Sequence, residues 1–367
     1  MGQDRARRLR ANAVTDRVII PSAHVNAVGL VLSLREVGFD GPITCLQHKV
    51  GQETIAGRFP HLCEVRAAAI QVPDELPERL MAWYPDEEMN LLFTDERFLG
   101  SFYGDQRFSS VPGAGERLET VTNKRRFYEF VSENRLGLVP ITVGNEASPW
   151  SQFGDRFRSR VWCTWRGMER LPRGGLIQDS RGLSAWRETV DERRLGAQEW
   201  GYQEQLSPAP EHNVSVSGWH DSSVHQFIVT RRRGVANGVG WWIERISDPD
   251  NLSRVARDIL GALDYDGPFE LEFVWDDRGL CFKVIELNPR FWMQHRLIQS
   301  LTDHALVRRC LGMSAQDDVD ERGPRTWLQT DLALSHPLQT ARNGYRSVLA
   351  YPTTGSLAAL IRRKLLR

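Results

Sequence analysis

Two short runs near residue 280 alternate apolar and polar residues with the period of a β-strand that has one wet face: Phe269-Glu270-Leu271-Glu272-Phe273 and Glu286-Leu287-Asn288-Pro289-Arg290. Asp276-Asp277-Arg278-Gly279 between them is turn chemistry, so the runs are predicted to form a hairpin. With the loop centred near Gly279, Glu272 falls opposite Glu286, and Asn288 and Arg290 project from the same face. Nearer the start, the strand Val18-Ile19-Ile20, a helical period from Val25 to Val37 closed by Gly38, and the strand Pro42-Ile43-Thr44-Cys45-Leu46 predict a β-α-β opening, with Leu91-Leu92-Phe93 as a later strand. Val161 to Arg166, Gly201 to Leu206, Asn213 to Ser217 and His225 to Thr230 read as further strands. The last ends in Arg231-Arg232-Arg233, where Arg231 and Arg233 share one face and Arg232 points away. Asp248 to Leu263 is predicted as an amphipathic helix entered through Ser247-Asp248-Pro249. Leu357, Leu360, Ile361 and Leu365 fall at helical spacing in a short basic helix that either docks on its own protein or lies on a membrane surface.

At 367 residues and 41% hydrophobic content, the chain can bury a large core and is expected to divide into two or three domains. Lysine plus arginine and aspartate plus glutamate are equal at 47 each, so no overall field favours nucleic acid or an acidic membrane. The five cysteines have no Cys-x-x-Cys spacing and leave an odd one, against a zinc site or a disulfide framework and in favour of a reducing, cytoplasmic setting. No apolar run approaches a membrane span, and the arginine-rich start lacks the apolar core of a signal peptide. No Gly-x-Gly-x-x-Gly follows the first strand, which leaves a dinucleotide site without support.

The hairpin carries the chemistry. Glu272, Glu286 and Asn288 bring two carboxylates and an amide oxygen together, hard ligands suited to magnesium, which takes its remaining ligands from water and substrate phosphates. Arg290 adds a planar cationic fork for a carboxylate or phosphoryl oxygen. A solvated strand face with no such role remains the alternative on these residues alone.

The order and spacing of Glu272, Glu286 and Asn288, with Asn-Pro-Arg-Phe-Trp through Trp292, resemble the ATP-grasp superfamily, most of all its carboxylate-amine ligase branch. The resemblance covers roughly Arg17 to Leu301 and includes Thr122-Asn123-Lys124 and Gly137-Leu138-Val139-Pro140-Ile141-Thr142. It implies α/β and α+β architecture: an ATP-grasp fold with a Rossmann-like pre-ATP-grasp domain at the N-terminus. The implied layout is a basic tail (1–16), that domain (17–112, hinged near Val111 to Gly115), a small lobe (113–198), a large lobe with the metal hairpin (199–310) and a C-terminal extension (311–367).

The resemblance further implies magnesium or manganese on Glu272, Glu286 and Asn288, and Lys124 on a phosphate. Asn123, in place of the family's Asp, implies a lost local cap. Glu204 is implied at the adenine side, and Glu211 at the ribose. The family's second phosphate lysine is missing from Val161 to Arg166. Some superfamily members use arginine there, so Arg166, or Arg160 in another register, stands in. Gly174 and Gly175 in Leu171-Pro172-Arg173-Gly174-Gly175-Leu176 would bring backbone amides to phosphate oxygens, or simply connect two strands. Arg231 and Arg233 reach the γ-phosphate or a substrate carboxylate, or end in water.

The implied activity is ADP-forming ligation of a small-molecule carboxylate to an amine through an acyl phosphate, with Arg290 and Arg166 assisting. A homodimer is compatible with it, and nucleic acid and membrane contact are not expected. Two alternatives stand beside it: ATP binding without turnover, prompted by the missing lysine, and a carboxylating enzyme, because Gln294-His295 lies where biotin carboxylase carries an acidic residue and a histidine.

Overall fold

A computed structural model describes residues 16–48, 53–103, 105, 107–108, 117–145, 148–236, 239–330 and 347–349. The basic tail before Asp16, the loop around Val111 to Gly115 and the helix expected from Leu357 lie outside the described residues.

The β-α-β opening forms as expected. Strands β1 (Arg17–Ile20), β2 (Ile43–Gln47), β3 (Glu64–Ala67) and β4 (Met89–Leu91) are parallel in the order β3-β2-β1-β4. The helix Val25–Glu36 stops where Gly38 takes φ of +83°. The Phe39 amide then bonds the Leu34 carbonyl and the Gly38 amide that of Arg35, a Schellman ending.

A second, antiparallel sheet runs β5-β10-β6-β9, from β5 (Thr142–Gly144), β6 (Phe157–Val161), β9 (Leu176–Ile177) and β10 (Trp200–Glu204). The two-residue strands β7 (Trp165–Arg166) and β8 (Glu169–Arg170) make a separate ribbon. The strand expected over Val161 to Arg166 is therefore broken: β6 ends at Val161, and the chain turns through Trp162 to Thr164 before β7. Phe157, Val161 and Tyr202 bury one face of this sheet against Trp186 of the helix Ser180–Glu192.

The largest sheet holds seven strands, β11 (Asn213–His220), β12 (His225–Ala236), β13 (Val239–Arg245), β14 (Gly267–Asp276), β15 (Cys281–Asn288), β16 (Thr326–Leu328) and β17 (Ser347–Leu349), ordered β15-β14-β11-β12-β13-β16-β17. One face packs Val214, Val229, Phe269, Leu271 and Phe273 against the helices Lys124–Glu133 and Leu252–Ala262. The second helix starts later than predicted, because Asp250 and Asn251 take left-handed backbone angles. Asp248 still caps it from a distance, accepting from the amides of Leu252 at 2.8 Å and Ser253 at 3.1 Å.

The opposite face shares a core with the first sheet's layer. Trp219, Ile228, Ile243 and Trp327 join Val28, Val31, Trp292, Leu297, Ile298 and Leu306 in one cluster, in which the helices His295–Leu301 and Ala305–Cys310 pack on Val25–Glu36. No helix among the described residues is long and apolar enough to cross a membrane.

Candidate active site

The hairpin pairs as its turn implied. Glu272 stands opposite Glu286 and Glu270 opposite Asn288, so all four side chains share the face turned away from Phe269, Leu271 and Phe273. Between these rungs and the turn the register slips by one: Phe273 pairs with Val284, which leaves Ile285 as an extra residue in β15. The freed Ile285 carbonyl accepts the Tyr128 hydroxyl at 2.8 Å, which fixes the bulge to the helix that begins at Lys124.

Each carboxylate on this face has a partner. Glu272 accepts from Arg232 at 2.6 Å and from Asn213 at 3.3 Å, while Lys124 forms an ion pair with Glu286. Glu270 accepts from the amides of Asn288, at 3.1 Å, and Gln294. Burial first, then the charge of Glu272, pushes the Glu270 carboxyl up to about 7. Burial and the positive charge of Arg160 bring the Lys124 ammonium down to about 8, with Glu272 and Glu96 opposing and Arg173 adding to the fall. Arg290 spans Asn288 Oδ1 at 3.0 Å and Glu96 at 3.2 Å, and so joins the hairpin to the loop after β4.

The Glu272 and Glu286 carboxylates across one rung and the Asn288 amide oxygen are ligand types that a hard divalent cation takes, while Glu270 beside them holds its proton near neutrality. Among the described residues no three of His, Cys, Asp and Glu are placed around a common metal position. The positive charge within this arrangement comes from Arg232, Lys124 and Arg290.

The small sheet supplies the facing wall. Phe157, Ser159 and Val161 are buried, which turns Arg158 and Arg160 to the other side. Arg160 donates to Gln203 at 3.1 Å, and Gln203 also accepts from Tyr128 at 3.4 Å. Arg158 Nε is buried without a partner among the described residues, and burial with Arg160's charge brings its guanidinium down to about 10. Arg173, in the loop before β9, lies near enough to Glu272 and Arg232 for their charges to act on it.

An acid-lined sheet, an arginine-lined smaller sheet and a parallel sheet behind them can be set beside solved structures. The chain aligns with N5-carboxyaminoimidazole synthetase from Staphylococcus aureus at a TM-score of 0.67, with 13% identity over 90% of this chain and 87% of that one. A biotin carboxylase from Campylobacter jejuni, solved with β,γ-ATP, aligns at 0.62 with 11% identity over 81% and 70%. An L-amino acid ligase from Bacillus licheniformis aligns at 0.57 with 10% identity over 82% and 75%. The chain has the ATP-grasp fold. No family model matches the sequence, and no curated protein matches it either.

Where the small sheet faces the hairpin, Lys124, Glu272, Glu286, Asn288 and Arg290 lie close together. Asn123 keeps the cap it was expected to lose, accepting from the Arg126 amide at 3.2 Å. Several other residues stand differently. Arg166 is held outside the cleft by Glu169 at 2.9 Å and by the carbonyls of Arg193 and Arg194 beyond the helix Ser180–Glu192, so Arg160 is the arginine that faces Lys124. The Gly175 amide is taken by the Ser159 hydroxyl at 2.9 Å. A Cβ on Gly174 would sit 1.7 Å from the Ser159 carbonyl oxygen, so Gly174 serves close packing of the loop on β6, whereas a Cβ on Gly175 would meet nothing within 4 Å.

Glu204 uses its side chain inside the protein, accepting from the Ile141 amide at 2.7 Å and from Lys283 at 2.6 Å, while Lys283 also reaches Asp276 at 2.8 Å. Glu211 is exposed in the one-turn helix Pro210–His212, two residues before Asn213. Arg231 and Arg233 do share a face, but both donate to Glu244, at 2.9 and 2.7 Å. Arg232 is the residue that reaches the carboxylates, the reverse of the expected parity.

His295 is fully buried and its Nε2 lies 3.1 Å from the Asn26 carbonyl. Burial lowers its imidazole to about 3, which suits a neutral packing residue. Glu96 sits in no motif, and Asn213 marked only the start of a strand, so neither signalled a place at the site. Glu270 stood in plain view in the alternating run, and its parity with Glu272 was the signal that could have added it.

Proposed function

We propose that the protein is an ATP-dependent ligase that joins a small-molecule carboxylate to an amine, releasing ADP and phosphate. The observation that carries this reading is the rung Glu272–Glu286, flanked by Glu270 and Asn288 and faced by Lys124, Arg158, Arg160 and Arg173. Neighbours in the same fold are ATP-dependent ligases and carboxylases, which supports an enzyme of this general kind.

Glu272, Glu286 and Asn288 would hold magnesium or manganese, whose charge neutralises the transferring phosphoryl group. Lys124 and Arg160 would bind phosphate oxygens, and Arg173 would close over them from the loop before β9. Attack of the substrate carboxylate oxygen on the γ-phosphorus breaks the bond to ADP and forms an acyl phosphate. Attack of the amine on the acyl carbon then expels phosphate and leaves the amide. Arg290, fixed between Asn288 and Glu96, would orient the carboxylate. Of the two residues behind the carboxylating alternative, His295 is enclosed in the core and Gln294 donates to Glu270.

Thermal melting with ATP and magnesium tests the reading, since a ligand bound to the native state raises the melting temperature. The expected result is a magnesium-dependent rise that Glu286→Gln removes; no rise at saturating nucleotide defeats it. A second reading, ATP binding without turnover, is favoured by the internal neutralisation of Glu272 by Arg232 and of Glu286 by Lys124. It predicts the same rise but no ADP release with any carboxylate and amine pair.

A further inference from the structure

A cavity of about 740 Å³ lies on the side of the seven-stranded sheet that carries the helix Leu252–Ala262, away from the carboxylate rung. Phe227, Val229, Ile246 and Pro249 give it an apolar lining, and Arg231, Glu244, Arg245, Ser253, Glu321 and Arg325 give it a polar one. Its size is that of a small-molecule site. Counting charges among the lining residues does not identify the ligand, because acids and bases are equal in number. Counting which groups are already engaged does.

All three acids are taken. Glu244 Oε2 accepts from both Arg231 Nε and Arg233 Nε, Glu321 accepts from Arg245 at 2.6 Å, and Asp248 caps the helix amides of Leu252 and Ser253. Burial alone would raise the Glu244 carboxyl, but the two guanidinium groups outweigh it and hold it below its ordinary range. The donors are not exhausted. Arg231 and Arg233 use only Nε on Glu244, and the exposed Arg325 guanidinium has no partner among the described residues. The cavity thus offers the remaining N–H groups of Arg231 and the whole Arg325 guanidinium beside carboxylates that are each already bonded to an arginine or to helix amides, together with an apolar lining.

We propose that this cavity is a second ligand site, separate from the ATP-grasp cleft, that takes an organic anion: a carboxylate or phosphate group on Arg231 and Arg325, with an apolar portion against Phe227, Val229 and Ile246. This assignment is independent of the reaction catalysed in the cleft.

The test is calorimetric titration of the full chain with phenyl phosphate and, separately, with inorganic phosphate, in the presence of saturating ATP and magnesium. Phenyl phosphate is expected to bind and inorganic phosphate to bind more weakly. Arg325→Ala and Arg231→Gln should each weaken phenyl phosphate about tenfold, the loss expected for a charge-assisted hydrogen bond. Glu286→Gln should leave it unchanged. Arg325→Ala removes an exposed side chain without a partner among the described residues, so its folding is not at stake. Binding that vanishes with Glu286→Gln or is displaced by ATP, or that is indifferent to both arginine variants, overturns the proposal, as does absence of binding at millimolar phenyl phosphate.

Discussion

The two walls of the cleft use one device, alternation on an antiparallel strand, and end in opposite electrostatic states. On the large sheet every carboxylate is satisfied from within: Glu272 by Arg232 and Asn213, Glu286 by Lys124, and Glu270 by Asn288 and Gln294. On the small sheet Arg160 makes one bond, to Gln203, and Arg158 Nε makes none among the described residues. A wall with unsatisfied donors is built for a ligand rich in acceptors, and polyphosphate is such a ligand. A wall whose acids are already neutralised must exchange its internal cations for any metal that enters. Under the proposed function, the first wall therefore sets nucleotide affinity through direct phosphate contacts, and the second sets both the magnesium-dependent part of that affinity and turnover.

The largest effect that would break this division is on the acidic wall. Glu286→Gln is expected to lower the rate of ADP release by a factor on the order of a hundred or more while the protein still folds, as for loss of a preorganised electrostatic contact. Steady-state ADP release checks it, and unchanged turnover would remove Glu286 from the metal set. On the basic wall, Arg160→Met should raise the apparent KM for ATP by roughly tenfold, from one lost charge-assisted contact. An effect on the rate alone would show that Arg160 acts on the transferring group and not on affinity.

Glu204→Gln separates structural from nucleotide roles. It leaves Lys283 buried with one acid, so the expected loss is stability, on the order of 3 kcal/mol, read from denaturant unfolding without nucleotide. Unchanged stability with weaker ATP binding would return Glu204 to the adenine side. A subtler effect follows from Glu270. Its folded-state carboxyl, at about 7, lies above its ordinary 4.5, so the folded protein binds the extra proton across that window and stability from this group falls as pH rises from 4.5 to 7. Glu270→Gln should flatten that slope by up to about one proton in stability measured against pH. Smallest of all, Arg166→Ala should change neither KM nor rate, because its contacts lie outside the cleft.

These contrasts also show what the sequence could carry. The hairpin rung was legible because one face of β14 is apolar and the turn marks the register, so Glu272, Glu286 and Asn288 could be placed by counting. The β-α-β opening was legible through Gly38 and its flanking periods. Arg232 was not, since β12 is buried on both faces at Ile228, Val229 and Thr230, and a strand covered twice has no alternation to fix parity. Arg160 was overshadowed by the run Val161 to Trp165, whose apolar residues extend past the strand's end and shift the apparent register. Glu96 lies 194 positions before Arg290 and meets it only through tertiary packing.

The core shared by the first parallel sheet's layer and the back of the large sheet bears on how such a cleft can open. Trp292, Leu297 and Leu306 are enclosed together with Val28 and Val31, so separating these two parts would expose a contiguous apolar surface. The small sheet has its own core and meets the hairpin through the Glu204–Lys283 ion pair and through Tyr128, whose hydroxyl bonds Gln203 of the small sheet and Ile285 of the hairpin. Under the proposed function, motion that admits a nucleotide is thus expected to be a swing of the arginine-bearing sheet over a stationary acidic floor, with Lys283 near its pivot.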